Sequence, residues 1–328
     1  AALLGALGLT VFVLRHPFGL AFGGGIAIAF VALMSVRRDA WLLFVPALAP
    51  VVDLAGWSGA IHLTESDALV MSALLVGGVQ AMTVPGAVRS VGRRRGRPRP
   101  WRFGVVQIGV VALLGISYLV STQWSSVPAA LGDAALWMGY STPLNGPRLA
   151  KGFFWAVLLL PVLAQALRER PQAATRWLVA GLVAGAVLVS LAALWERWAF
   201  TGLSDFASDY RTTALFWEMN VGGATLDGWL ALTAPVALWW VLGERDSRWL
   251  ALGMAVLAVL AYASFTTFSR GLYLGLAAGL VVLLLVMLRR GVWRVSGTSL
   301  LVWMAYSAVL AGWLAGVFQT GGYRGAGA

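Results

Sequence analysis

This sequence predicts an all-α, polytopic transmembrane helical bundle, and three observations carry the prediction. Hydrophobic residues make up 60% of the 328-residue chain and charged residues only 11%, whereas soluble domains average about 25% charged. The apolar residues come in blocks of roughly 18 to 22, the length of helix that crosses about 30 Å of hydrocarbon. The alternating segments of about 10 residues that build a transmembrane barrel do not occur in the sequence. The chain has no cysteine, which excludes disulfides and thiolate metal sites. Its two histidines, His16 and His62, are too few and too far apart for a zinc motif. No metal and no cofactor are expected.

In chain order the blocks cover 1–14, 17–36, 40–54, 67–88, 102–121, 150–167, 177–200, 222–242, 248–267, 271–288 and 297–318, about 10–11 spans in a single transmembrane domain over 1–328. The first lacks the basic start of a signal peptide and runs straight into further spans, so it reads as a membrane helix. The third is short and holds Pro46 and Pro50, which weakens it as a helix. The chain begins with alanine and stops at "GGYRGAGA" just after an apolar block, and it is expected to be a piece of a longer protein.

Arginine placement sets the orientation, because Lys and Arg accumulate in cytoplasmic loops. One set of alternate loops ("SVRRDA", "RSVGRRRGRPRPWR", "RERPQAATR", "ERDSR" and "RRGVWR") holds seventeen of the 24 Lys and Arg. The basic stretch 89–102 therefore reads as a cytoplasmic loop that signals topology and meets anionic lipid heads. Nothing in it resembles a nucleic-acid module. The net charge of +11 is thus a membrane signal. The opposite, outer side carries the loops 55–66, 122–149 and 201–221, the turn around Arg270, and 319–328. Tryptophans gather near the span boundaries, as an interfacial belt requires.

The outer side holds the residues that point to chemistry. Arg270 follows "TTFS" at the start of the 271–288 span, with Ser269 or Thr267 placed to cap the helix. A helix N-terminus already attracts anions, so an arginine there is unfavourable for the helix alone and sensible if an anion arrives. The plainer reading is a guanidinium that snorkels to the headgroup region. Arg211 stands in the outer loop before the 222–242 span, with Asn220 nine residues on. Two guanidinium forks meeting at one point suit a diphosphate, since each binds phosphate oxygens in bidentate fashion. The plainer reading for Arg211 is a salt bridge to Asp205, Asp209 or Glu218. Asp227, shortly inside the 222–242 span, is an intramembrane carboxylate and a functional candidate on that ground.

Arg211 and Asn220 before one span, with Ser269, Arg270 and Gly271 before a later one, resemble the motifs of the O-antigen ligase and O-antigen polymerase family. "WSSVP" at 124–128 is similar too, and the resemblance covers about residues 100 to 328. Where the family often has a G-N-P-N-like turn, this chain has "WEMN" from Trp217 to Asn220. The resemblance implies a glycosyltransferase-C-like membrane architecture in the bacterial inner membrane, with a periplasmic active side. It also implies metal-independent transfer of a glycan from an undecaprenyl-diphosphate-linked donor to a glycan or lipid A–core acceptor. Arg211 and Arg270 would hold the diphosphate. Asn220, Ser269, Gly271 and Asp227 would support them. The family's catalytic base is a histidine in a large periplasmic loop, expected to begin at 319–328 with Tyr323 and Arg324 and to continue past Ala328. These 328 residues alone are therefore expected to be inactive. His62 is a weaker candidate base, and His16 weaker still. Two other classes remain open on the sequence: a flippase or transporter of lipid-linked glycan, and a non-catalytic subunit of a glycan assembly complex.

Overall fold

The computed structural model describes residues 1–60, 62–83, 105–124, 145–206, 210–216, 224–244 and 246–290. The basic stretch 89–102, residues 125–128 of "WSSVP", Asn220, the 297–318 span and 319–328 lie outside the described residues. Among the described residues the protein is helical throughout and contains no strand. It forms two compact units, one of residues 1–45 and 52–177, the other of 46–51 and 178–328.

The first unit contains α1 (Ala2–Arg15), α2 (Leu20–Ser35), the start of α3 (Trp41–Leu48), α4 (Ala55–Ser58), α5 (Glu65–Met82), α6 (Val105–Trp124) and α7 (Asn145–Glu169). The 40–54 block, expected as a span, is not one. Only eight residues of it are helical, a reach of about 12 Å at 1.5 Å per residue. Pro46 within α3 and Pro50 just after it deny the backbone two amide donors, and the chain turns instead. Helix α5 starts where Thr64 and Asp67 form a reciprocal capping box. Helices α1 and α2 pack on α5, α5 packs on α7, and α7 on α6. The α1–α5 contact is close because it is made of small residues. A Cβ on Gly5 would lie 2.6 Å from the Met71 carbonyl oxygen, and one on Gly78 2.7 Å from the Ala2 nitrogen. Such backbone approach is how helices associate where no water is left to expel.

The first unit pairs its charges. Arg38 meets Glu169 at 2.6 Å and Asp39 meets Arg170 at 2.6 Å, joining two turns that arginine counting puts on one side. Burial raises the Asp39 carboxyl above its usual range, against the pull of Arg170 and Arg38. On the other side, Lys151 Nζ donates to Asp67 Oδ2 at 2.5 Å and Trp155 Nε1 to Asp67 Oδ1 at 2.7 Å. His16 Nε2 lies 3.3 Å from Glu65 Oε1 while its Nδ1 accepts the Phe18 amide, so the imidazole proton sits on Nε2.

The second unit contains most of α8 (Pro171–Phe200), with α9 (Ala224–Gly243), α10 (Ser247–Thr266) and α11 (Arg270–Arg290). Asp246 caps α10 by accepting the Arg248 amide. A buried cluster of Val189, Ala193, Leu226, Leu230, Ala263 and Leu272 draws one residue or more from each of these four helices. Helix α9 packs on both α10 and α11. Against α11 the seam is Gly275 and Gly279 facing Ala231 and Pro235; a Cβ at Gly279 would fall 2.7 Å from Pro235 Cγ. Helices α8, α9, α10 and α11, together with α7 over Ala150–Glu169, are long and apolar enough to cross a membrane. Helices α1 and α2 are apolar but shorter, at 14 and 16 residues. The chain is a multi-pass helical membrane protein.

Candidate functional site

At one end of the second unit, the C-terminus of α8, the N-terminus of α9 and the reversal between α10 and α11 come together. The reversal takes three residues. Thr267 keeps helical dihedrals as the C-cap of α10, and Phe268 then enters the left-handed region at φ 51°. A non-glycine residue there costs about 1–2 kcal/mol, so the surroundings must hold it. Thr267 Oγ1 donates to the Ser264 carbonyl and accepts the Ser269 amide. Ser269 then starts α11 by accepting the Leu272 amide at 3.2 Å. Of the two capping candidates in "TTFS", it is Ser269 that caps.

Arg211 reaches this reversal from the loop between α8 and α9. Its Nε donates to the Thr267 carbonyl at 3.1 Å and its Nη2 to the Phe268 carbonyl at 3.4 Å. These are the carbonyls left open at the end of α10, where the helix dipole is negative. No described carboxylate lies within ion-pair distance of Arg211, and Asp209 and Glu218 lie outside the described residues. Its Nη1 makes no hydrogen bond to a described residue. Arg211 is thus attached two residues before Arg270, the first residue of α11.

Arg270 is exposed. Among the described residues it has no hydrogen bond and no ion pair. Asp227, in the first turn of α9, lies close enough to Ser269 and to Arg211 for both to act on its carboxyl electrostatically. Its Oδ1 is buried with no partner among the described residues. Gly271 is exposed, and a Cβ there would meet nothing nearer than Ser269 Oγ at 3.7 Å. Packing therefore does not demand a glycine at that position. Four of the candidates, Arg211, Asp227, Ser269 and Arg270, come from two helix starts and one loop at a single end of the unit. His62 and His16 belong to the other unit; His62 is exposed and offers its carbonyl to Lys151, while His16 is buried. Among the described residues no group of three or more His, Cys, Asp and Glu is arranged to hold a metal.

Sequence reasoning passed over two neighbours in "LWERWAF". Glu196 and Arg197, in the last turn of α8, are both buried, Arg197 completely at 0% exposure. Glu196 accepts the Thr213 amide at 3.1 Å, the Ala214 amide at 2.6 Å, the Thr213 hydroxyl at 3.3 Å and the Tyr210 hydroxyl at 2.6 Å. Arg197 donates to the carbonyls of Asp205 and Tyr210 and lies 5.9 Å from the centre of the Phe206 ring. Burial, and then the bond to Glu196, push the Tyr210 phenol well above its ordinary range. The available signal was two adjacent opposite charges in an apolar run, which are costly in that setting unless they have partners.

No family model, curated protein or solved structure matches the chain.

Proposed function

We propose that the protein is a polyprenyl-diphosphate-dependent glycan transferase of the O-antigen ligase or polymerase type, working at the periplasmic face of a bacterial inner membrane. The donor is an undecaprenyl-diphosphate-linked glycan and the acceptor a sugar hydroxyl, on another glycan or on lipid A–core. One observation carries the reading: Arg211 is bonded to the turn that presents Arg270, and neither guanidinium faces a described carboxylate within ion-pair distance. Two cations attached to one turn, neither with a described carboxylate at ion-pair distance, suit a departing diphosphate. Negative charge grows on the phosphate oxygens as the glycosidic bond breaks, and fixed guanidinium groups stabilise it without reorganising. Ser269 supports the turn as the cap of α11, and Asp227 lies beside it in the first turn of α9. The base that takes the acceptor proton is expected from a histidine outside these residues. The test is glycan transfer by the complete protein carrying Arg270→Ala or Arg270→Lys. Loss of transfer in both, with normal membrane insertion, agrees with the reading. Full activity in either removes Arg270 from the mechanism.

A further inference from the structure

We infer that Glu196 is a positioning residue for Arg211, and that Glu196 and Arg197 together set residues 210–214 in the form that receives the diphosphate. The inference rests on the reading of Arg211 as a phosphate ligand.

The pair grips the loop by both of its backbone chemistries. Arg197 takes carbonyls at Asp205 and Tyr210, on the near side of Arg211. Glu196 takes amides at Thr213 and Ala214, on the far side. Arg211 is therefore fastened on both flanks within three residues, by a cation on one and an anion on the other. Tyr210 belongs to both grips: its carbonyl goes to Arg197 and its hydroxyl to Glu196, and its ring stacks on Phe200 with centroids 5.9 Å apart. Ala214 is held in the left-handed region at φ 54° by its bond to Glu196.

A buried carboxylate and a buried guanidinium that spend their hydrogen bonds on a loop are an expensive way to secure ordinary packing. An apolar anchor would secure the loop at less cost, but it could not orient successive amides and carbonyls. The arrangement makes sense where the loop carries a group whose angle matters. Arg211 is such a group: two of its donors are used on the α10–α11 reversal, its Nη1 bonds to no described residue, and the direction that Nη1 faces depends on the path of residues 210–214. Preorganised donors need a supporting layer of this kind.

The test is a double-mutant cycle in the full-length protein in nanodiscs, using geranylgeranyl diphosphate as the probe and tryptophan fluorescence as the readout. Arg211→Ala is expected to weaken probe binding about tenfold or more, and Glu196→Gln by a similar factor, as the loss of charged hydrogen bonds implies. The double variant is expected to bind no worse than Arg211→Ala alone, because Glu196 acts through Arg211. A merely structural role would instead give losses that multiply, and that result overturns the inference. Normal binding by Glu196→Gln beside impaired binding by Arg211→Ala also overturns it while leaving the reading of the site intact. Normal binding by Arg211→Ala overturns both. Should Glu196→Gln fail to fold, Tyr210→Phe, which deletes one bond to the carboxylate, takes its place in the same cycle with an expected loss of about threefold.

Discussion

The two units treat charge in opposite ways. In the first, each buried carboxylate named above meets a basic side chain: Asp39 has Arg170, Asp67 has Lys151, and Glu65 has His16. In the second, Arg197, Arg211 and Arg270 have no described carboxylate at ion-pair distance, and Glu196 bonds to amides and hydroxyls. The first arrangement closes its electrostatics with its own side chains and serves cohesion. The second leaves Arg211 and Arg270 without a described carboxylate at ion-pair distance, the arrangement that the proposed diphosphate would complete.

Crossing the roles of the two units is the strongest way to break this contrast. Arg270→Ala should lower glycan transfer by about a hundredfold or more, the usual effect of removing a fixed donor from a developing oxyanion. Thermal unfolding in detergent should stay where it was. Asp67→Ala should do the reverse. It strands Lys151 and the Trp155 indole, and should destabilise the protein by about 3 kcal/mol in a denaturant titration, with diphosphate binding unaltered. An equal loss of transfer in Asp67→Ala and Arg270→Ala would erase the distinction. A steric test comes next. Gly279→Leu overpacks the seam against Pro235 and should cost about 1–3 kcal/mol, read by the same titration.

The smallest effect is a pH dependence. The folded loop keeps the Tyr210 proton at pH values where an unfolded chain would release it, because the phenol is raised from 10.0. The stability this contributes is complete below that value and declines as pH rises through the folded one. Protection of the Thr213 and Ala214 amides, taken relative to intrinsic base-catalysed exchange, should therefore fall above pH 10, and Tyr210→Phe should remove that fall. The first unit supplies the contrast, since its carboxylates should leave protection there, relative to intrinsic exchange, unchanged across that range. Asp39 sharpens this at the acid end. Its carboxyl is raised from 3.8, so its share of stability is present below that value and falls as pH rises through the folded one.

Much of the fold was legible in the sequence because a hydrocarbon solvent leaves few options. Apolar blocks had to be helices, and the ends of α9, α10 and α11 fall within about three residues of the 222–242, 248–267 and 271–288 blocks. Helix α8 begins at Pro171, six residues before its predicted start, since its polar first turns still pay for helix through their hydrogen bonds. The 40–54 block misled because its composition is apolar while its prolines stop a helix. At the candidate site, the isolation of Arg270 and the cap at Ser269 follow from local pattern. The carbonyl partners of Arg211 do not, because they lie 56 and 57 residues away in sequence. The same holds for Glu196 and Arg197: in the sequence they are a charge pair at a helix end, and only the returning loop gives them something to hold.

The glycine seam between α9 and α11 has a mechanical consequence. With Gly275 and Gly279 seated on Ala231 and Pro235, the two helices touch at a fulcrum, and Arg270 rides about 14 Å along the lever from Gly279 at 1.5 Å per residue. Splaying the pair by about 10° would swing the arginine head by roughly 2 Å on that arm. A bulky side chain wedged deep in the membrane would thus be felt as misaim at the surface, far from the atom that was added.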